Sequence, residues 1–160
     1  MAEESPSTQF LPFEKGLLSE FRINQHTTSC TLSASPVVLA STVVMVDDVD
    51  DRVWLNGTVN WQVSLNIAGS VDILFEILRG STVIYSAVQS ITTFLPVLPF
   101  TVYNQAQLQH VDTTPISTPG LTPVLYQLRA TVISTPSIGT VSTLSQILSA
   151  AEIEAVHQAV

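Results

Sequence analysis

Arg52-Val53-Trp54-Leu55-Asn56-Gly57-Thr58-Val59-Asn60-Trp61-Gln62-Val63-Ser64-Leu65-Asn66-Ile67 alternates apolar and polar side chains along its whole length. Val53, Leu55, Val59, Trp61, Val63, Leu65 and Ile67 fall on one face, with Gly57 at a gap; Asn56, Thr58, Asn60, Gln62, Ser64 and Asn66 fall on the other. A period of two sustained this far is a half-buried strand, because successive side chains of a helix would turn by about 100° and mix the two sets. Trp54 interrupts the polar face and marks a covered edge or an intermolecular contact. Gly57 inside a strand signals a bulge or a close approach of backbone.

The pattern continues outward in both directions. Ala68-Gly69-Ser70 is a turn signal, after which Val71, Ile73, Phe75 and Ile77 alternate with Asp72, Leu74 and Glu76. Arg79-Gly80-Ser81 is a second turn, with Thr82 to Val88 as the returning strand, so the three segments are expected to form a meander of hairpins. Upstream, Ile23 to Leu32 and Val37 to Val46 read as β-branched strands. Downstream, Phe100 to Val111 and Val124 to Ile133 are strands, separated by a loop containing Pro115, Pro119, Gly120 and Pro123. A last strand starts near Ile138; from Leu144 to Val156 the spacing of Leu144, Ile147, Leu148 and Ala151 also fits a helix, and strand is the expectation. About eight strands with frequent turn signals and no alternation of strand with helix give an all-β class. The expected fold is an antiparallel jelly-roll sandwich over residues 23–160, preceded by an N-terminal arm, 1–22.

The composition restricts what such a domain can do. Of the 160 residues, 46% are apolar and only 11% charged, against about 25% charged in a typical domain. Lys15 is the only lysine, so Ser, Thr, Asn and Gln must cover the surface. Few charges suit a surface buried by neighbours better than that of a freely diffusing monomer. A net charge of −8 argues against nucleic acid and against an anionic membrane surface as partners. No apolar run reaches the length of a membrane span, and the N-terminus shows no signal-peptide pattern.

Candidate chemistry is sparse. Asp47, Asp48, Asp50 and Asp51 offer hard oxygen ligands that suit Ca²⁺, but without the spacing, central Gly and closing Glu of an EF-hand. A solvated hairpin is the default for this cluster, and weak calcium binding between subunits the sharper alternative. His26, His110 and His157 lack metal-ligand spacing. No nucleophile elbow or phosphate-cradling loop occurs, and Asp72 with Glu76 on one strand face lacks a matched partner. No catalytic residue, metal ligand or cofactor is therefore expected. Asn56-Gly57-Thr58 matches a glycosylation sequon but lies within a strand. Cys30, as the single cysteine, excludes an intramolecular disulfide and leaves a half-buried strand residue or an intersubunit contact, the latter a role shared with Trp54.

The arm differs from the rest. Pro6, Pro12 and Gly16 alternate with Phe10, Leu11, Phe13, Leu17, Leu18 and Phe21. A purely disordered tail would lack these side chains. They pack on their own domain or dock on a neighbouring subunit, and they are the candidate assembly residues.

Asp51-Arg52-Val53-Trp54-Leu55-Asn56-Gly57-Thr58-Val59, followed by Ile73 to Gly80 and Val83-Ile84-Tyr85, resembles the small jelly-roll proteins of bacterial spore surfaces, the exosporium protein C group. Leu128-Arg129-Ala130-Thr131-Val132 matches their penultimate strand, while Glu76 stands where that group carries a basic residue. The resemblance covers about residues 36 to 146. It implies a tumour-necrosis-factor-like jelly roll in the exosporium or in a spore appendage, made in the mother-cell cytoplasm and exposed on lysis. Its partners would be itself and other spore-coat or exosporium proteins, and no catalytic residue carries over. The alternatives are a module recognising carbohydrate or a receptor through Trp54 and Tyr103, or a phage or virion structural protein.

Overall fold

A computed structural model describes residues 18–65, 68–93, 99–134 and 139–155. Among them are nine strands and no helix: β1 (Leu18–His26), β2 (Cys30–Leu32), β3 (Val37–Val46), β4 (Arg52–Leu65), β5 (Gly69–Arg79), β6 (Thr82–Thr93), β7 (Phe100–Asp112), β8 (Thr122–Val132) and β9 (Gly139–Ile153). Sheet A runs β1–β9–β4–β7, with β2 also paired to β9; sheet B runs β3–β8–β5–β6. Every pairing is antiparallel. Because β1 and β2 pair with successive parts of β9, they occupy one edge position, and the chain fills eight positions in two sheets. This order of strands is that of a jelly roll.

The alternation in β4 does what its period requires. Val53, Leu55, Val59, Trp61, Val63 and Leu65 are all buried, and sheet B answers with Ile73, Phe75, Ile77, Tyr126, Leu128 and Ala130. Trp61 and Phe75 meet across the core with ring centroids 6.4 Å apart and planes tilted by 48°. Gly57 is a close approach and not a bulge. A Cβ there would lie 3.3 Å from Leu128 Cδ1 and 3.7 Å from Leu108 Cβ, so the missing side chain makes room for Leu128 from the opposite sheet. The irregularity in this region belongs to β9: Asn60 opposes Ser145 and Trp61 opposes Thr143, leaving Leu144 as the extra residue.

Several expectations need correcting. The meander fails at its first step, since β4 pairs with β7 and β9 while β5 lies in the other sheet; only β5–β6 is a hairpin. Likewise residues 47–51 are not a hairpin turn, because they carry the chain from β3 in sheet B to β4 in sheet A. The strand expected from Ile23 to Leu32 is two, interrupted between His26 and Cys30. One expectation holds: the segment from Leu144 onward, read as strand in preference to helix, is extended to Ile153. The arm is shorter than residues 1–22: Leu18 and Phe21 belong to β1, in register with Ile153 and Ala151 of β9. Phe10, Leu11, Phe13 and Leu17 lie outside the described residues.

β1 is also tied to the other sheet. Glu20 accepts a 2.6 Å hydrogen bond from the backbone N–H of Met45 and forms an ion pair with Arg22. Met45 lies in β3, an edge strand of sheet B, so the carboxylate occupies a donor that an edge would otherwise offer to another chain. The Met45 N–H, more than Arg22, holds the Glu20 carboxyl below its ordinary pKa, against a smaller opposing effect of burial.

Candidate functional site

One end of the sandwich gathers several ionisable side chains. There the last residue of β5, Arg79, the last of β7, Asp112, and Tyr126 of β8 converge. Arg79 Nη1 donates to Asp112 Oδ1 at 2.9 Å and Oδ2 at 3.0 Å, and the Tyr126 hydroxyl donates to Asp112 Oδ2 at 2.9 Å. Arg79 also donates to the carbonyl of Thr114, whose own N–H donates to Asp112 Oδ1 at 3.3 Å. Burial, and then the adjacent Asp112 charge, push the Tyr126 hydroxyl pKa well above its ordinary value. The cluster borders an open groove of about 760 Å³ lined by Arg79, Thr114, Pro115, Ile116 and Leu125. Asp112 accepts from three groups, Arg79, Tyr126 and the Thr114 N–H, and is committed within the cluster. Its chemistry is that of a polar clasp joining the two sheets.

The acidic connection lies at the same end. Asp47 and Asp51 are joined there by Glu152 of β9, with one oxygen of each within 4.8 Å of the others. Asp51 is buried; its Oδ2 accepts from Asp48 N at 3.1 Å and its Oδ1 from Ala155 N at 2.8 Å. Asp50 N donates to Asp48 Oδ1 at 2.9 Å. Three carboxylates form a donor set of the kind hard cations take. Both Asp51 oxygens, however, are engaged by backbone N–H groups, which makes this residue the pin between the β3–β4 connection and the chain after β9. The expected solvated hairpin is thus a partly buried crossing, and Glu152, distant in sequence, is the member that local spacing could not reveal.

The carboxylates Asp72 and Glu76 do not form a pair. Glu76 on the outer face of sheet B is bonded instead to Arg129 of β8, with Nε at 2.9 Å and Nη2 at 2.8 Å. The basic partner is supplied by the neighbouring strand. His110 packs against Tyr85, ring centroids 5.6 Å apart; His26 is exposed, and His157 lies outside the described residues.

The outer face of sheet A is built differently. β4 presents Asn56, Thr58, Asn60, Gln62 and Ser64, flanked in register by Gln109, Gln107, Gln105, Tyr103 and Thr101 of β7 and by Ser, Thr and Ile of β9. These side chains bond one another: Asn60 Nδ2 to Ser145 Oγ at 2.8 Å, Gln105 Nε2 to Asn60 Oδ1 at 2.9 Å, and Gln62 Nε2 to Ser142 Oγ at 3.2 Å. Among the described residues of β4, β7 and β9 on this face, Arg52 is the one charged side chain. Trp54 is exposed here, but Tyr103 is opposite Gln62, eight positions along the strand and roughly 26 Å away at about 3.3 Å per residue. The two aromatics expected in one binding groove therefore stand at opposite ends of the face. Cys30 shares neither face nor end with Trp54: it is half-buried in β2, in register with Thr143.

No protein-family model matches this chain, and no curated protein matches it. Solved structures with a similar arrangement include that of infectious bursal disease virus, Gx strain, at 12% identity and a TM-score of 0.38 over 85% of this chain and 32% of that one. The T=1 particles derived from the same virus match at 11% identity and 0.38, over 96% and 41%. Its subviral particle matches at 10% identity and 0.34, over 95% and 42%. The chain thus spans less than half the length of each of these chains.

Proposed function

We propose that the chain is a self-assembling structural subunit of the bacterial endospore surface, in the exosporium or a spore appendage, with no catalytic activity and no cofactor. One observation carries the assembly reading: the outer face of sheet A, a surface that a free monomer would stud with charge, has among the described residues of β4, β7 and β9 a single charged side chain, at its end. Hydroxyl and amide groups satisfied by one another cost little to bury, whereas stripped charges cost several kcal/mol each. The spore surface is supported by the resemblance of the β4, β5 and β8 segments, and the non-enzymatic reading by a polar cluster whose carboxylate is fully engaged. The arm, with Phe10, Leu11, Phe13 and Leu17 ahead of β1, docks on the next subunit and adds to the contact.

The test has two parts. Immunogold labelling in a spore-forming host that expresses the full chain should place it on the outside of released spores; label confined to vegetative cytoplasm would overturn the location. Removing residues 1–17, which leaves β1 whole, should yield a folded β domain that assembles more weakly. Unchanged assembly would overturn the role given to the arm.

A further inference from the structure

Sheet edges expose unpaired backbone groups, and most edges of this sandwich are guarded against pairing with another chain. β1, β2, β3, β6 and β7 occupy the edges. β2 is only three residues long. β1 carries Glu20 and Arg22 and a bulge, since Leu18 opposes Ile153 but Phe21 opposes Ala151. β3 holds Leu39 as an extra residue between Val38 and Ala40, and its Met45 N–H is taken by Glu20. In β6 the extra residue is Ile84, because Ile77 opposes Tyr85 and Leu78 opposes Val83. β7 has none of these devices. Its 13 residues keep unbroken register with β4, and no proline, Asp, Glu, Lys or Arg precedes Asp112. The backbone shows which of them would pair. Gln105 N–H donates to Asn104 Oδ1 at 2.8 Å and the Gln105 carbonyl accepts from Gln89 Nε2 at 3.2 Å, so both groups turn away from β4. This direction alternates along an antiparallel ladder, and Tyr103, Gln107, Gln109 and Val111 turn theirs the same way. Two neutral side chains thus cover Gln105, and among the described residues nothing else caps the row.

Edge groups are satisfied by another edge, and the unguarded edge that a second copy brings is the same β7. We infer that β7 pairs antiparallel with β7 of a second copy about a two-fold axis at Gln107. This rests on the self-assembly reading and specifies one of its contacts. Gln107 then faces its own counterpart and Gln105 faces the partner's Gln109. Tyr103, 68% exposed, faces the partner's Val111, 40% exposed, once on each side of the axis. The outward row makes about ten main-chain hydrogen bonds, and sheet A runs on into the next copy. Charge sets the direction. Parallel pairing would lay the two acidic ends side by side. Antiparallel pairing about Gln107 holds the two Asp112 positions roughly 33 Å apart, well beyond the ~8–10 Å over which like charges repel in physiological salt. Of the charges on sheet B, Asp72 is kept from this edge by β6, and Glu76 and Arg129 pair with each other.

The experiment uses three variants of the full chain. Gln107 and Gln109 are exposed, and Q107K/Q109K and Q107E/Q109E each set like charges face to face at the axis and along its diagonals. Q107P removes one N–H that turns away from β4, a change an edge strand tolerates. Circular dichroism and thermal melts establish which variants are folded, and Q107P carries the test if the charged ones are not. Multi-angle light scattering at low salt then reads mass. Each variant alone should be monomeric at the lowest concentration at which the wild-type chain assembles. An equimolar mixture of the lysine and glutamate variants should regain assembly as pairs of one with the other, because only positions that face their own counterparts turn repulsion into attraction. If a folded variant assembles as the wild type does, β7 is not the contact and the inference is wrong, although self-assembly stands. If the lysine and glutamate variants stay monomeric when mixed, the edge receives a different segment, such as the arm, and the two-fold pairing is wrong. A wild-type chain that is itself monomeric throughout overturns the self-assembly reading along with the inference.

Discussion

Replacing Asp112 by alanine tests the clasp between the sheets. The carboxylate is almost wholly buried and accepts from Arg79, Tyr126 and the Thr114 N–H. Breaking a buried ion pair by removing one partner costs ~3–5 kcal/mol. Arg79 keeps its bond to the Thr114 carbonyl and its side chain remains 30% exposed, so the charge left behind is partly solvated; about 2 kcal/mol is a fair share for the pair. The Tyr126 hydroxyl, fully buried, loses its only protein acceptor, which adds ~1–2 kcal/mol. D112A should therefore destabilise by about 3–4 kcal/mol. Y126F alone leaves Asp112 with Arg79 and should cost about 1 kcal/mol. The signature lies in the double variant. With no stranded hydroxyl, D112A/Y126F should be about 1 kcal/mol more stable than D112A, so the second substitution repairs part of the damage of the first. Urea unfolding followed by the fluorescence of buried Trp61, at one fixed protein concentration, reads all three values. If Y126F costs as much in the D112A background as in the wild type, the hydroxyl and the carboxylate are not coupled and the clasp is wrongly drawn.

Tyr126 should also show itself in alkali. Its folded pKa is raised, so the stability it contributes is fully present below the unfolded value of about 10 and is lost as pH climbs from there towards the folded value. An absorbance titration should find one phenol that ionises only as the chain unfolds, and Y126F should abolish that phase; a phase that persists would contradict the assignment. For Glu20, NMR should find a carboxyl titrating below the ordinary glutamate value, and R22Q should leave most of that depression in place because the Met45 N–H is its larger cause. A return to the ordinary value in R22Q would make the ion pair the cause. G57V should push methyl groups against Leu128 and cost ~1–3 kcal/mol, and L128V in that background should recover part of the loss. Equal stability of G57V and wild type in chemical denaturation would show that the sheets yield at this point.

The strands themselves were legible because burial on one face imposes a period of two, and β4 keeps it from Val53 to Leu65. Their partners were not. In a sandwich both inner faces are apolar, so a turn such as Ala68-Gly69-Ser70 looks the same whether the chain folds back on its neighbour or crosses to the other sheet. That is why β4–β5 reads as a hairpin and is not one. The clasp left a signal of a different kind. Arg79 shares the inward parity of Ile73, Phe75 and Ile77, and Asp112 that of Ala106 and Leu108. Opposite charges at inward parity on two strand ends call for each other, since neither can be buried alone. The acidic end was half visible: the aspartates adjoin in sequence, whereas Glu152 arrives from the other end of the chain through the β4–β9 register. Phe21 and Trp54 were each conspicuous in sequence, but their place on either side of Ala151 depends on the register of β9 with β1 and β4.

Sedimentation velocity of the full chain, from submicromolar to high micromolar concentration at neutral pH, bears most directly on the claim that this jelly roll is a subunit of a larger assembly. The expected result is a series of species well above 17.3 kDa whose share grows with concentration and which resolve as regular particles or fibres by negative-stain microscopy. A single boundary at the monomer mass across the whole range would contradict it.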